Sequence, residues 1–160
     1  MTVFRITRAV TLPADEVWRR VTDWPAHGAR VPLTAVSVLT PGPTRVGTVF
    51  VARTGMGRAG FDDPMKVVLW TPPEAGRGEG ARPGCCRLVK QGRAITGWAK
   101  IEVHPQGAGA VVVWAEELTI RLLPRLLDPL VARVGRLVFG RVLDGLLGKS
   151  RVHAGADIRQ

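Results

Sequence analysis

Glu116 stands where a strand reading puts apolar side chains. In AVVVWAEELTI, residues 110–120, it shares a face with Val112, Trp114, Leu118 and Ile120 under the two-residue alternation of a strand, so its carboxyl points inward. A carboxylate removed from water needs a partner. Arg8 is the matching anomaly: in TVFRITRAVTL it falls among Phe4, Ile6, Val10 and Leu12, the apolar series of an opening strand. His27 is a third group of interest, because an imidazole can carry a proton near neutral pH, although a surface histidine is the plainer reading. Arg8, His27 and Glu116 are thus the candidates for acid/base chemistry. A one-residue slip in register would turn Glu117 inward in place of Glu116.

Other chemistries find less support. His27, His104 and His153 form no HxxxH or HxH pair, so no metal site is expected. GMGRAG, residues 55–60, has the spacing GxGxxG, but the chain continues through FDDP into a strand and not into the helix that a dinucleotide site requires, so no cofactor is expected. Asp62 and Asp63, adjacent and before Pro64, read as a turn. Ser37 and Ser150 are the only serines and neither lies in a GxSxG elbow, which argues against a covalent hydrolase. The chain has no tyrosine, which removes one common oxyanion donor. Cys85 and Cys86 are adjacent, so they read as reduced strand residues.

These residues must be positioned by a chain of 160 residues, 46% hydrophobic and 22% charged, enough for one domain with a substantial core. The expected organisation is a single domain over residues 1–153 and a short tail, 154–160. No stretch has the length and charge-free character of a membrane span, and the N-terminus lacks the order of a secretion signal, so a cytoplasmic protein is expected. The formal net charge is +10. Its arginines are spread along the chain with no compact basic and aromatic footprint, so no specific nucleic-acid partner is expected. The local excess of Arg121, Arg125, Arg133, Arg136, Arg141, Lys149 and Arg151 over Asp128 and Asp144 leaves an anionic membrane surface as a less favoured partner.

The order of elements follows from periodicity. After the first strand, Pro13 opens a short helix with Asp15 and Glu16 in its first turn and Val17, Trp18, Val21 and Trp24 inward; Pro25 is expected to stop it. One further turn is expected around His27–Val31. Six strands then succeed one another in 35–40, 46–54, 65–71, 85–91, 97–104 and 110–120 by local connections, the pattern of an antiparallel meander. Two longer connections, GMGRAGFDDP and PPEAGRGEGARPG, interrupt them. The last element, 129–147, is the longest helix: Asp128 is placed to cap it and Pro129 to begin it. Leu130, Val131, Val134, Leu137, Val138 and Val142 fall on one face that should be covered. Phe139, Val142, Leu143, Leu146 and Leu147 form a second, rotated stripe, which calls for a bend near Gly135 or Gly140 or burial of the C-terminal half on several sides. At 1.5 Å per residue this helix reaches about 28 Å, enough to cross such a sheet.

This order, together with LPADEVWRRVTDWPAHGARVP, GFDDPMKVVLW and VVVWAEEL, resembles the START-like helix-grip superfamily (SRPBCC) and, within it, the bacterial polyketide cyclase/dehydrase-like proteins. The resemblance covers almost the whole chain. It implies an α+β helix-grip fold, a seven-stranded curved antiparallel sheet wrapped around the long C-terminal helix, with two short helices after the first strand. It also implies a cavity beneath that helix and makes the first and last strands neighbours, which would pair Arg8 with Glu116, either as a packing ion pair or as a catalytic one. The ligand-facing residues expected on this basis are Trp24, His27, Arg53, Trp70, Lys90, Trp114, Glu116, Val134, Val138, Phe139 and Val142. The leading functional expectation is binding of a small hydrophobic, lipid- or polyketide-like molecule. The alternatives are a polyketide cyclase or aromatase acting through His27, Arg8 and Glu116, and a lipid carrier docking on anionic membrane. A monomer or homodimer fits either.

Overall fold

The computed structural model describes residues 2–56, 60–74, 81–121 and 123–148. The expected tail, His153, and the centres of the two long connections lie outside them. The chain forms β1 (Thr2–Val10), α1 (Ala14–Val21), α2 (Trp24–Gly28), β2 (Thr34–Val38), β3 (Val49–Thr54), β4 (Phe61–Thr71), β5 (Gly84–Gln91), β6 (Ile95–Gln106) and β7 (Gly109–Ile120). A single 3₁₀ turn, Arg125–Leu127, then leads into α3 (Asp128–Leu147). All strands join one curved antiparallel sheet in the order β1-β7-β6-β5-β4-β3-β2. The α+β helix-grip fold is therefore the one the sequence implied.

Alternation sets the sheet's inner face. Phe4 and Ile6 on β1, Cys86 and Leu88 on β5, Ala99, Ile101 and Val103 on β6, and Val112, Trp114 and Leu118 on β7 all turn inward and are buried. The β1–β7 register places Phe4 opposite Glu116 and Arg8 opposite Val112, which fixes Glu116, and not Glu117, as the inward carboxylate. The two helices after β1 close one end of the core. Glu16 holds Arg19 and Arg20 at 2.8 and 2.6 Å along α1, while Val17, Trp18 and Val21 are buried beneath it.

Four local expectations need correction. Pro25 does not stop α1: that helix ends at Val21, where the Thr22 hydroxyl donates to Trp18 O at 2.7 Å, and Pro25 instead lies in the first turn of α2. The second helix consequently runs Trp24–Gly28, capped by Asp23 accepting from Ala26 N at 3.2 Å, and not His27–Val31. Asp62 and Asp63 are not a turn. They open β4, where pairing with Arg53 and Ala52 of β3 overrides the local turn signal. Finally, α3 starts one residue earlier than expected, with Leu127 at the N-cap and no side-chain cap bond.

The two stripes of α3 separate cleanly. Val142, Leu143, Leu146 and Leu147 are all buried, as the rotated stripe requires of a C-terminal half covered on several sides. The first half is different: Leu130, Val134 and Leu137 remain half exposed, contrary to the covered face expected, and Leu130 and Val134 border an open space and not a packed layer. The helix is continuous through both glycines. Gly135 has a packing reason of its own, since a Cβ there would come within 2.7 Å of Phe4 Cε1, and Phe4 is buried against β7.

Candidate functional site

Between the inner face of the sheet and the first half of α3 lies a cavity of about 540 Å³. Aromatic side chains build one wall. Trp24 stacks on Phe50 with ring centroids 4.6 Å apart, His27 sits between Trp24 and Trp114 at 5.6 and 5.5 Å, and Trp114 in turn meets Phe139 of α3 at 5.3 Å. Met65, Leu88, Ala99 and Leu118 add to the sheet side, and Val131, Val134 and Val138 form the helix side.

One polar cluster interrupts this apolar lining. Lys90 Nζ on β5 donates to Asp63 Oδ2 of β4 at 2.7 Å, lies 3.2 Å from Glu116 Oε1 of β7, and is 3.7 Å from Met65 Sδ. Glu116 Oε2 accepts from Trp114 Nε1 at 3.1 Å. The three charged residues are 6%, 7% and 1% exposed for Asp63, Lys90 and Glu116. The approach of Lys90 to Glu116 Oε1 is electrostatic and lacks hydrogen-bond geometry, so Glu116 Oε1 and Asp63 Oδ1 are both buried with no donor on them. Two carboxylates thus share one ammonium in an interior where charge is costly.

The environment shifts these groups in understandable directions. Burial pushes the Glu116 carboxyl above its usual range, and Lys90 and the Trp114 N–H only partly offset it. Burial works against the Lys90 charge, but Glu116 and Asp63 beside it outweigh that and hold the ammonium more tightly protonated than usual. Lys90 is therefore a fixed cation and not a free amine nucleophile. His27 Nε2 lies 2.9 Å from the Val21 carbonyl, which assigns the proton to Nε2 and leaves Nδ1 as an acceptor. Although part of its surface borders the cavity, the ring is enclosed closely enough that burial lowers its pKa to about 4, and it is neutral at physiological pH.

The residues singled out from the sequence divide into two groups. Trp24, His27, Lys90, Trp114, Glu116, Val134, Val138 and Phe139 lie on the cavity wall. Arg8 does not meet Glu116: four residue pairs farther along β1, it reaches α3 and bonds Asp144 Oδ1 through Nε at 2.8 Å. Arg53 turns to the outer side of β3 and bonds Asp62 at 2.9 Å, beside an open surface depression of about 610 Å³ that contains none of the Asp63–Lys90–Glu116 cluster. Trp70 packs on Trp18, with centroids 4.9 Å apart, away from the cavity wall, and Val142 is buried in the packed half of α3. Asp63 was missed. Once β4 is started at Phe61, Asp63, Met65 and Val67 alternate inward, and that period was the available signal.

Among the described residues no group of three or more His, Cys, Asp or Glu is placed to hold a metal ion, and no helix is long and apolar enough to cross a membrane.

Residues 1–150 match the family described as polyketide cyclase/dehydrase and lipid transport. No curated protein matches the sequence. Among solved structures, the chain is similar to the Zhui aromatase/cyclase from Streptomyces sp. R1128, with 15% identity and a TM-score of 0.59, covering 92% of each chain. It is also similar to a START superfamily protein from Mycobacterium smegmatis, with 12% identity and a TM-score of 0.63, over 92% of this chain and 97% of that one. The di-domain ARO/CYC StfQ from the steffimycin biosynthetic pathway aligns at 14% identity and a TM-score of 0.66, over 93% of this chain and 50% of StfQ.

Proposed function

Since the chain belongs to the polyketide cyclase/dehydrase and lipid transport family, we propose that it binds a small hydrophobic molecule in the cavity between the sheet and the first half of α3. The observation that carries this reading is the cavity itself: about 540 Å³ of space walled by Trp24, Phe50, Leu88, Trp114, Val138 and Phe139, a size within the ~300–1,000 Å³ typical of small-molecule sites. Affinity would come from apolar area removed from water, at about 0.8 kcal/mol for each buried CH₂. A thermal-shift panel of apolar compounds tests it, alongside a Val138→Trp variant that fills the space. Stabilisation of the native chain that is lost in the variant supports binding, whereas equal shifts in both place the compounds elsewhere.

A second reading, cyclase or aromatase chemistry on a polyketide-like substrate, is favoured by one observation: His27 and the Glu116–Lys90–Asp63 cluster lie on the same cavity wall. A neutral imidazole and a carboxylate there are groups able to exchange protons with a bound polyketone. Arg8 has no part in this version, because it is engaged with Asp144. A Glu116→Gln variant that binds substrate but no longer turns it over would support the enzyme. Unchanged turnover would exclude Glu116 from it.

A further inference from the structure

The polar side chains on the cavity wall have unequal supplies of donors and acceptors. Trp24 Nε1 donates to Thr44 Oγ1 at 3.2 Å, Trp114 Nε1 to Glu116 Oε2 at 3.1 Å, and His27 Nε2 to Val21 O at 2.9 Å. The Thr34 hydroxyl reaches Pro32 O at 3.3 Å and lies 2.8 Å from the Thr54 hydroxyl, so Thr54 donates to Thr34 while Thr34 donates to the carbonyl. Lys90 Nζ is surrounded by Asp63 Oδ2, Glu116 Oε1 and Met65 Sδ. Each of these side-chain N–H and O–H groups therefore lies against a protein acceptor, with Lys90 and Glu116 Oε1 related as an ion pair.

The acceptors are not matched in the same way. Asp63 Oδ1 is buried with no donor, Glu116 Oε1 has the Lys90 ammonium beside it as an ion pair but accepts no hydrogen bond, and His27 keeps a lone pair on Nδ1. His27 and Glu116 belong to the same stretch of wall, since the His27 ring packs on Trp114, whose N–H holds Glu116. Buried acceptors without donors are costly, and a group that supplies the missing hydrogen recovers that cost.

Resting on the binding function proposed above, we infer that the ligand is an apolar molecule bearing at least one O–H or N–H donor and no anionic group, with the donor directed at the His27–Glu116 side of the cavity. A carboxylate or phosphate head would meet two carboxylates and an ammonium already committed to them. An ether or ester of the same shape would bring a further acceptor to a wall whose side-chain donors are already engaged. A hydroxyl or phenol supplies what the wall lacks.

Three probes of nearly equal size separate these cases: 2-naphthol, 2-methoxynaphthalene and 2-naphthoate, each titrated calorimetrically into the full chain at neutral pH. The expected order is naphthol tightest, with at least a tenfold preference over methoxynaphthalene, and naphthoate weakest. The preference should shrink in His27→Phe or in Glu116→Gln, and loss in either supports the assignment. Equal affinities for naphthol and methoxynaphthalene, a preference for naphthoate, or a naphthol preference unchanged in both variants would overturn it while leaving apolar binding intact. Failure of all three probes, in a chain that also shows no thermal shift with apolar compounds, would remove the binding function and this inference together.

Discussion

Lys90 of β5 and Asp63 of β4 meet at 2.7 Å inside the molecule, and Glu116 of β7 approaches the same ammonium at 3.2 Å. One cation between two carboxylates ties three strands together at the cavity wall. Its removal cannot be neutral, because it would leave two buried negative charges facing each other. Lys90→Met should lower stability by about 3–5 kcal/mol, the usual cost of orphaning a buried charge partner. Urea denaturation checks this. A triple variant, Lys90→Met with Asp63→Asn and Glu116→Gln, should recover much of the loss, since it removes the charges with their partner.

Acid should act through His27. Burial lowers its folded pKa to about 4 from an ordinary 6.5, so the neutral ring contributes stability that is present above pH 6.5 and is lost as pH falls through 4. The contribution is on the order of 2–3 kcal/mol by pH 4. Thermal unfolding followed between pH 7 and 4 should show a decline that is shallower in His27→Phe, provided that variant folds; parallel declines would mean that the ring is not the titrating group.

Glu116 works with the opposite sign. Its folded pKa is raised, so its proton favours the fold below the unfolded value near 4.5, and that contribution disappears as pH rises through the folded value. Ionised Glu116 is therefore a net cost to the fold, and Glu116→Gln should become relatively more stable than the native chain as pH rises across this window. The difference in urea midpoint measured at pH 4 and pH 7 is the readout.

Gly135 tests how closely α3 rests on β1. An alanine Cβ would approach Phe4 Cε1 to 2.7 Å, and Phe4 is 1% exposed, so its ring has little room to retreat. Alanine's better helix propensity would favour the variant by about 1 kcal/mol, but overpacking typically costs about 1–3 kcal/mol. Gly135→Ala should be destabilising on balance. By contrast, Arg8→Met breaks the partly exposed pair with Asp144 and an exposed bond from Arg8 Nη1 to Thr7 O, and should cost about 1 kcal/mol or less.

The sequence made the sheet, its terminal helix and the inward carboxylate Glu116 readable, because alternation over 110–120 and helical spacing over 128–147 are strong local signals. What it concealed was the partner. Arg8 and Glu116 do lie on neighbouring strands and on inward positions, but register puts Phe4, and not Arg8, opposite Glu116. Periodicity assigns faces and leaves open how far along the strand each residue sits. Nothing in the local pattern around Lys90 names its partner, and Asp63 is hidden by a turn signal that pairing with β3 overrides. Both belong to strands distant in sequence from β7, so only the sheet order brings them to Glu116. The half-exposed Leu130 and Val134 have a related cause: an amphipathic stripe looks the same whether it covers a packed layer or the rim of a cavity.

The central claim is that the cavity holds a small apolar molecule, and native mass spectrometry of the chain purified from its own host under gentle conditions tests it most directly. The expected result is a protein peak carrying additional small-molecule mass that disappears on denaturation and is absent from the cavity-filled Val138→Trp variant. Bare protein alone, joined by no thermal shift across an apolar panel, would contradict the claim.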